Sequence, residues 1–132
     1  MTRRHRTERL AFALTAAALG AALACASKPG AEGPPHEPQV AAALADPTSL
    51  ARGKAIFSGT CTGYCHSIAP GGKGAPDLFD CDWLHGGSEA EIHHTITTGV
   101  PNTRMVAFGG KLQDDDIWRI VAFLESSSRC PR

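Results

Sequence analysis

The sequence predicts a small all-α domain, and three observations point there. Three segments carry helix start and stop signals, their apolar residues recur at helical spacing, and no alternating run long enough for a strand appears. The chain has 132 residues, room for one domain at the usual size of roughly 100–200 residues.

The first helix is announced by Asp46-Pro47, a good cap followed by proline at the first helical position. It is expected to run through Leu50, Gly53 and Phe57 and to stop near Gly59. Ser88-Glu89-Ala90-Glu91 fits a capping box for the second, with Ile92 and Ile96 on its buried face and Gly99 and Pro101 as its end. The third is the clearest. Asp114-Asp115-Asp116 places negative charge at its amino end, where the helix dipole favours it, and Ile117, Ile120, Val121 and Leu124 recur at i, i+3, i+4 and i+7. The Asp run is read as a helix start. These helices place the folded domain at residues 46–132. With five Phe, two Trp and one Tyr in the whole chain, its core is thin, and a bound cofactor would help to fill it.

The amino end reads differently. Residues 1–9 carry four arginines, residues 10–24 are apolar or small, and Cys25 follows. A basic start, a short apolar run and small residues before a break make a secretory signal over residues 1–24. Fifteen apolar or small residues fall short of the roughly 20 that span a bilayer. Ala22-Leu23-Ala24-Cys25 resembles a bacterial lipobox, in which the cysteine is lipidated; an ordinary cleaved signal is the alternative. Residues 25–45, rich in Pro, Gly and Ala, are expected to form a semi-extended tether.

Charge narrows the partners. The full chain balances 13 basic against 13 acidic side chains; loss of residues 1–24 removes four Arg and one Glu, leaving 9 and 12, a net of −3. Nothing here favours nucleic acid. The mature chain is expected outside the cytoplasm, periplasmic or held at a membrane through Cys25, where disulfides can persist.

Cys61-Thr62-Gly63-Tyr64-Cys65-His66 follows the first helix. Two thiols beside an imidazole can be a disulfide pair, a metal site or an attachment point for haem c. In the last case each thiol adds to a haem vinyl group and the adjacent histidine reaches the iron. The usual spacing is C-x-x-C-H; this chain has C-x-x-x-C-H.

The rest of the domain resembles the class I cytochromes c. Gly53-Lys54-Ala55-Ile56-Phe57 matches the family's glycine and aromatic on the first helix, and Gly74-Ala75-Pro76-Asp77-Leu78 its glycine-rich loop after the histidine. The segment from Gly99 through Met105 to Phe108 looks like its methionine loop, and Asp116 to Leu124 like its last helix. The resemblance implies a cytochrome c fold of three to five short helices around one covalently attached haem c. Cys61 and Cys65 would hold the haem, and His66 and Met105 would ligate iron. The Pro76 carbonyl would accept a hydrogen bond from His66, and Gly53 and Phe57 would pack on Ile120 and Phe123. The extra residue must bulge, with Gly63 supplying an unusual backbone conformation. Val106 stands where related sequences often have proline.

His85, His93 and His94 are read as solvated surface side chains, Trp83 as core, and Arg104 as a surface residue or a partner for a haem propionate. With Cys25 lipidated and Cys61 and Cys65 on haem, Cys81 and Cys130 remain, and an oxidising compartment favours their disulfide. It would close a loop of about 50 residues, worth up to about 4 kcal/mol in the chain-entropy model.

The implied function is one-electron transfer by a monomeric mono-haem cytochrome, an electron-transfer protein rather than an enzyme. Its partners would be a periplasmic dehydrogenase or a terminal oxidase or reductase. Two alternatives stand beside it: an electron-accepting subunit of a dehydrogenase complex, and a haem-free zinc or copper protein using Cys61, Cys65 and His66.

Overall fold

The computed structural model describes residues 36–71 and 74–130. The expected export signal and Cys25 lie outside them. Four α-helices follow in order: α1, Pro38–Ala45; α2, Pro47–Ile56; α3, Glu89–Thr98; and α4, Asp114–Ser126. A five-residue π-helical segment, Phe57–Cys61, continues α2. Among the described residues there is no strand beyond an isolated bridge between Gly109 and Leu112. No described helix is long and apolar enough to cross a membrane.

The punctuation read from the sequence is present in the structure. The Asp46 carboxylate accepts the N–H groups of Thr48 at 2.9 Å and Ser49 at 3.3 Å, satisfying amides that have no helical partner. Ser88 and Glu91 complete the capping box. Gly99, at φ 72°, ends α3 in the left-handed region that glycine enters without strain.

Two boundaries differ from expectation. The first helix does not stop near Gly59, because its last turn widens into the π segment and reaches Cys61. The folded unit also starts before residue 46. Pro38–Ala45, expected as part of a tether, is helical, and Val40 and Ala43 join the core at 0% and 5% exposure. Two buried residues in eight positions leave too little periodicity to reveal a helix; contact with α4 supplies what the local pattern lacks.

α4 is the central helix and packs against α1, α2 and α3. Its Ile117, Ile120, Val121 and Leu124 are buried as their spacing requires. The tightest crossing is with α2 at Gly53, where an added Cβ would lie 2.0 Å from the Arg119 carbonyl oxygen. Only hydrogen fits there. One turn later Phe57 packs against Phe123 at 5.5 Å between ring centroids, and Phe79 closes an aromatic triad at 5.6 Å from Phe57 and 5.9 Å from Phe123. Such pairs add about 0.5–1.5 kcal/mol beyond area burial.

The crossing also carries an ion pair. Arg52 donates through Nε and an Nη to the two oxygens of Asp116, both at 2.6 Å, and Arg119 donates to the same carboxylate at 2.7 Å. Asp116 is buried, so it does more than start a helix. The hydrogen bond from Arg52, aided by Arg119 against the opposing effect of burial, lowers its pKa to about 2.

Two predictions follow from this crossing. Gly53→Ala should lose about 1–3 kcal/mol in urea unfolding, whereas Gly59→Ala, with open space at its Cβ, should stay within about 0.5 kcal/mol of wild type; equal losses would contradict the backbone contact. Because the folded-state pKa of Asp116 is depressed, its contribution is complete above the unfolded value, near 3.8, and is lost as pH falls toward 2. Urea midpoints of wild type should therefore fall from pH 4 to pH 2 more steeply than those of Asp116→Asn.

Candidate functional site

The segment of residues 61–66, one residue longer than the C-x-x-C-H spacing, follows a widened turn that continues from the π segment. Thr62 N–H donates to the Phe57 carbonyl at 3.2 Å, and His66 N–H to the Cys61 carbonyl at 3.1 Å. Both bonds span five residues, one more than an α turn, so the additional residue is taken up by widening the turn. Gly63, expected to provide an unusual backbone conformation, does not take a positive φ. The bulge is real but is made by the hydrogen-bond register, with Tyr64 exposed at its apex.

His66 is 8% exposed, and its Nδ1 lies 3.0 Å from the Pro76 carbonyl oxygen, as the sequence reading expected. A carbonyl only accepts, so Nδ1 carries the proton and Nε2 keeps its lone pair for a metal. The ring lines a cavity of about 420 Å³, within the range of cofactor pockets. Cys65 and Met105 share this wall, and Leu78, Trp83, Ile92, Ile96 and Leu124 make much of it apolar. Cys61 sits beside the core, where burial, reinforced by Cys65, pushes its thiol up to about 11. It is therefore neutral at pH 7.

Met105 is held by a tightly bonded loop. Its carbonyl accepts Val100 N–H at 2.9 Å and its own N–H donates to Thr103 Oγ1 at 3.0 Å. Gly99 is needed for sterics as well as for its positive φ, because a Cβ there would approach Ala107 N at 2.6 Å and the Met105 carbonyl oxygen at 2.7 Å. Phe108 and Gly109 donate to the Ile96 and Thr97 carbonyls at 3.0 Å each. Those bonds satisfy the free carboxyl end of α3 and tie the loop's exit to it.

Other readings sort differently. His93 is half-buried rather than solvated; it stacks on Trp118 with 4.0 Å between centroids and meets Asp114 at 2.9 Å. Trp118 Nε1–H donates to the same Asp114 carboxylate at 3.1 Å. His94 is exposed, and His85 is exposed at the cavity edge. Trp83 is partly buried against the core and also lines the cavity. Among the described residues no three His, Cys, Asp or Glu side chains gather into a group able to hold a metal ion. The haem-free zinc or copper reading therefore lacks a ligand set, because Cys61, Cys65 and His66 are not themselves drawn together into such a group. Cys81 and Cys130 face each other with Cα atoms 5.5 Å apart, the span of a disulfide.

An apolar cavity whose wall carries a thiol, an oriented imidazole and a thioether fits a haem better than a hydrated ion. Comparison with known proteins agrees: the family model described as "Cytochrome C oxidase, cbb3-type, subunit III" matches residues 48–124. The chain belongs to that family. It is a class I c-type cytochrome domain with the corresponding all-α fold, and the family implies haem c as its cofactor. A cbb3-type cytochrome c oxidase subunit FixP from Bradyrhizobium sp. (strain ORS 278) is 39% identical over 121 residues, 84% of this chain and 39% of that protein. Subunit FixP of Azorhizobium caulinodans is 41% identical over 90 residues, 61% of this chain and 30% of that protein. Subunit CcoP of Rubrivivax gelatinosus is 37% identical over 95 residues, 70% of this chain and 31% of that protein. The cytochrome chain thus spans two fifths or less of the length of these relatives. No solved structure matches it.

Proposed function

We propose that this cytochrome carries a single haem c, bound through Cys61 and Cys65 and ligated by His66 and Met105, and passes single electrons within a chain ending at a terminal oxidase. The observation that carries the reading is the cavity wall shared by His66, Cys65 and Met105, with Nδ1 of His66 committed to Pro76. The oxidase as partner rests on the relatives being oxidase subunits. The electron-accepting subunit of a dehydrogenase complex is the same chemistry with another partner, and nothing in the geometry favours it.

The haem supplies a one-electron ferric/ferrous couple, which Met/His ligation places at higher potential. The protein's part is to hold it. His66 presents Nε2 in a fixed tautomer, the Gly99–Phe108 loop presents the Met105 thioether, and the apolar wall excludes water. With His66 and Met105 both holding the iron, no position would be left for a substrate, so the domain would transfer electrons without acting as an enzyme by itself. Arg104, on the cavity wall, offers a guanidinium to a propionate. The export signal of residues 1–24 would deliver the domain to the periplasm, with Cys25 as a lipid anchor and Cys81–Cys130 as a disulfide there.

A denaturing, thiol-reduced gel stained for haem peroxidase activity should show a band at this chain's size, and Cys61→Ser with Cys65→Ser should abolish it. Met105→Ala should keep that band but remove the weak long-wavelength sulfur-to-iron absorption of the ferric form. A stain lost on denaturation would rule out covalent attachment, and an unchanged ferric spectrum would rule out Met105.

A further inference from the structure

One partly buried carboxylate on the cavity wall has no part in the proposed attachment or ligation. Asp77 directly follows Pro76, and its side chain is 10% exposed. It accepts the N–H groups of Gly71 at 3.2 Å and Phe79 at 2.9 Å, and the Arg129 guanidinium at 2.5 Å. Gly71 and Phe79 lie on either side of Pro76 in the chain, so one carboxylate ties both arms of the loop whose carbonyl meets His66. Removing a carboxylate from water is costly unless donors replace the lost hydration. Asp77 has three.

Arg129 reaches this loop from the tail beyond α4. Its own N–H donates to the Phe79 carbonyl at 2.8 Å, and its guanidinium lies 5.7 Å from the centroid of the Phe79 ring. Phe79 is a member of the buried aromatic triad, which gives the brace a rigid footing. The next residue, Cys130, faces Cys81, holding the tail at a second point. The brace therefore joins segments 52 residues apart around the one carbonyl that orients the proximal ring.

We propose that Asp77 and Arg129 are positioning residues for His66: by bracing the loop they hold the Pro76 carbonyl on the Nδ1–H of the ring and so set the donor strength of Nε2. The inference rests on the haem reading above. A carbonyl drawing on the Nδ1 proton makes the imidazole a stronger donor, which favours ferric iron and lowers the potential. A slack loop weakens that bond and raises it.

The test uses the full haem-loaded chain in four variants: Asp77→Asn, Arg129→Gln, Arg129→Lys, and Arg52→Gln as a stability control whose ion pair lies at the α2–α4 crossing. Redox titration reads the potential, and 15N NMR reads exchange of the His66 Nδ1–H. In Asp77→Asn and Arg129→Gln the ferrous/ferric ratio at fixed poise should rise by about threefold to tenfold, tenfold being 59 mV for one electron, and ring N–H exchange should quicken by about tenfold or more. Arg129→Lys, which keeps the charge opposite Asp77, should recover part of both. Arg52→Gln should lose stability with neither readout moving. Asp77→Asn and Arg129→Gln that lose stability while potential and exchange stay at wild-type values would overturn the inference and leave the haem reading intact. A wild-type chain without covalent haem would remove both.

Discussion

The close approach of α2 to the backbone of α4 at Gly53 is the constraint on which the rest depends. With 2.0 Å between a notional Cβ and the Arg119 carbonyl oxygen, glycine alone permits the crossing, and the crossing decides where α2 ends. It seats Phe57 against Phe123 and places the Arg52 guanidinium on the buried Asp116. The π segment continues from it and packs Cys61 against the core. Ordinary apolar burial then completes a core that is small for an isolated domain.

From that crossing the site is assembled by backbone hydrogen bonds more than by side-chain contacts. A five-residue turn carries the chain from Cys61 to His66, the Pro76 carbonyl selects the tautomer of the ring, and the Gly99 to Phe108 loop is closed on itself and on α3. Each device uses neutral backbone groups, so the charge on the wall is left to side chains such as Asp77 and Arg104. That suits a group whose charge changes by one unit and whose surroundings should reorganise little as it does.

The helices that carry strong local signals were legible in the sequence: the Asp46 cap, the Ser88–Glu91 capping box, and the apolar stripe of α4. The Pro76 contact, and the meeting of Cys65, His66 and Met105 at one cavity wall, were legible through resemblance, because short motifs carry them; Cys61 packs on the core and is not on that wall. What the sequence hid was long-range or register-dependent. α1 has only Val40 and Ala43 to show for its burial. Phe79 and Asp116 look unremarkable until the chain brings Phe57 and Arg52 to them, and the Asp77–Arg129 pair spans 52 positions. The extra residue between Cys61 and Cys65 pointed to a bulge, but composition pointed to Gly63 as its cause, whereas a widened hydrogen-bond register absorbs it.

The central claim is that this cavity holds haem joined to the chain through both cysteines. A pyridine haemochrome spectrum of the purified mature protein tests it most directly, because the position of the α band reports how many vinyl groups have become thioethers. The account predicts the spectrum of haem with both vinyls saturated, at one haem per chain. A spectrum of unmodified protohaem, or no haemochrome from correctly exported protein, would contradict it.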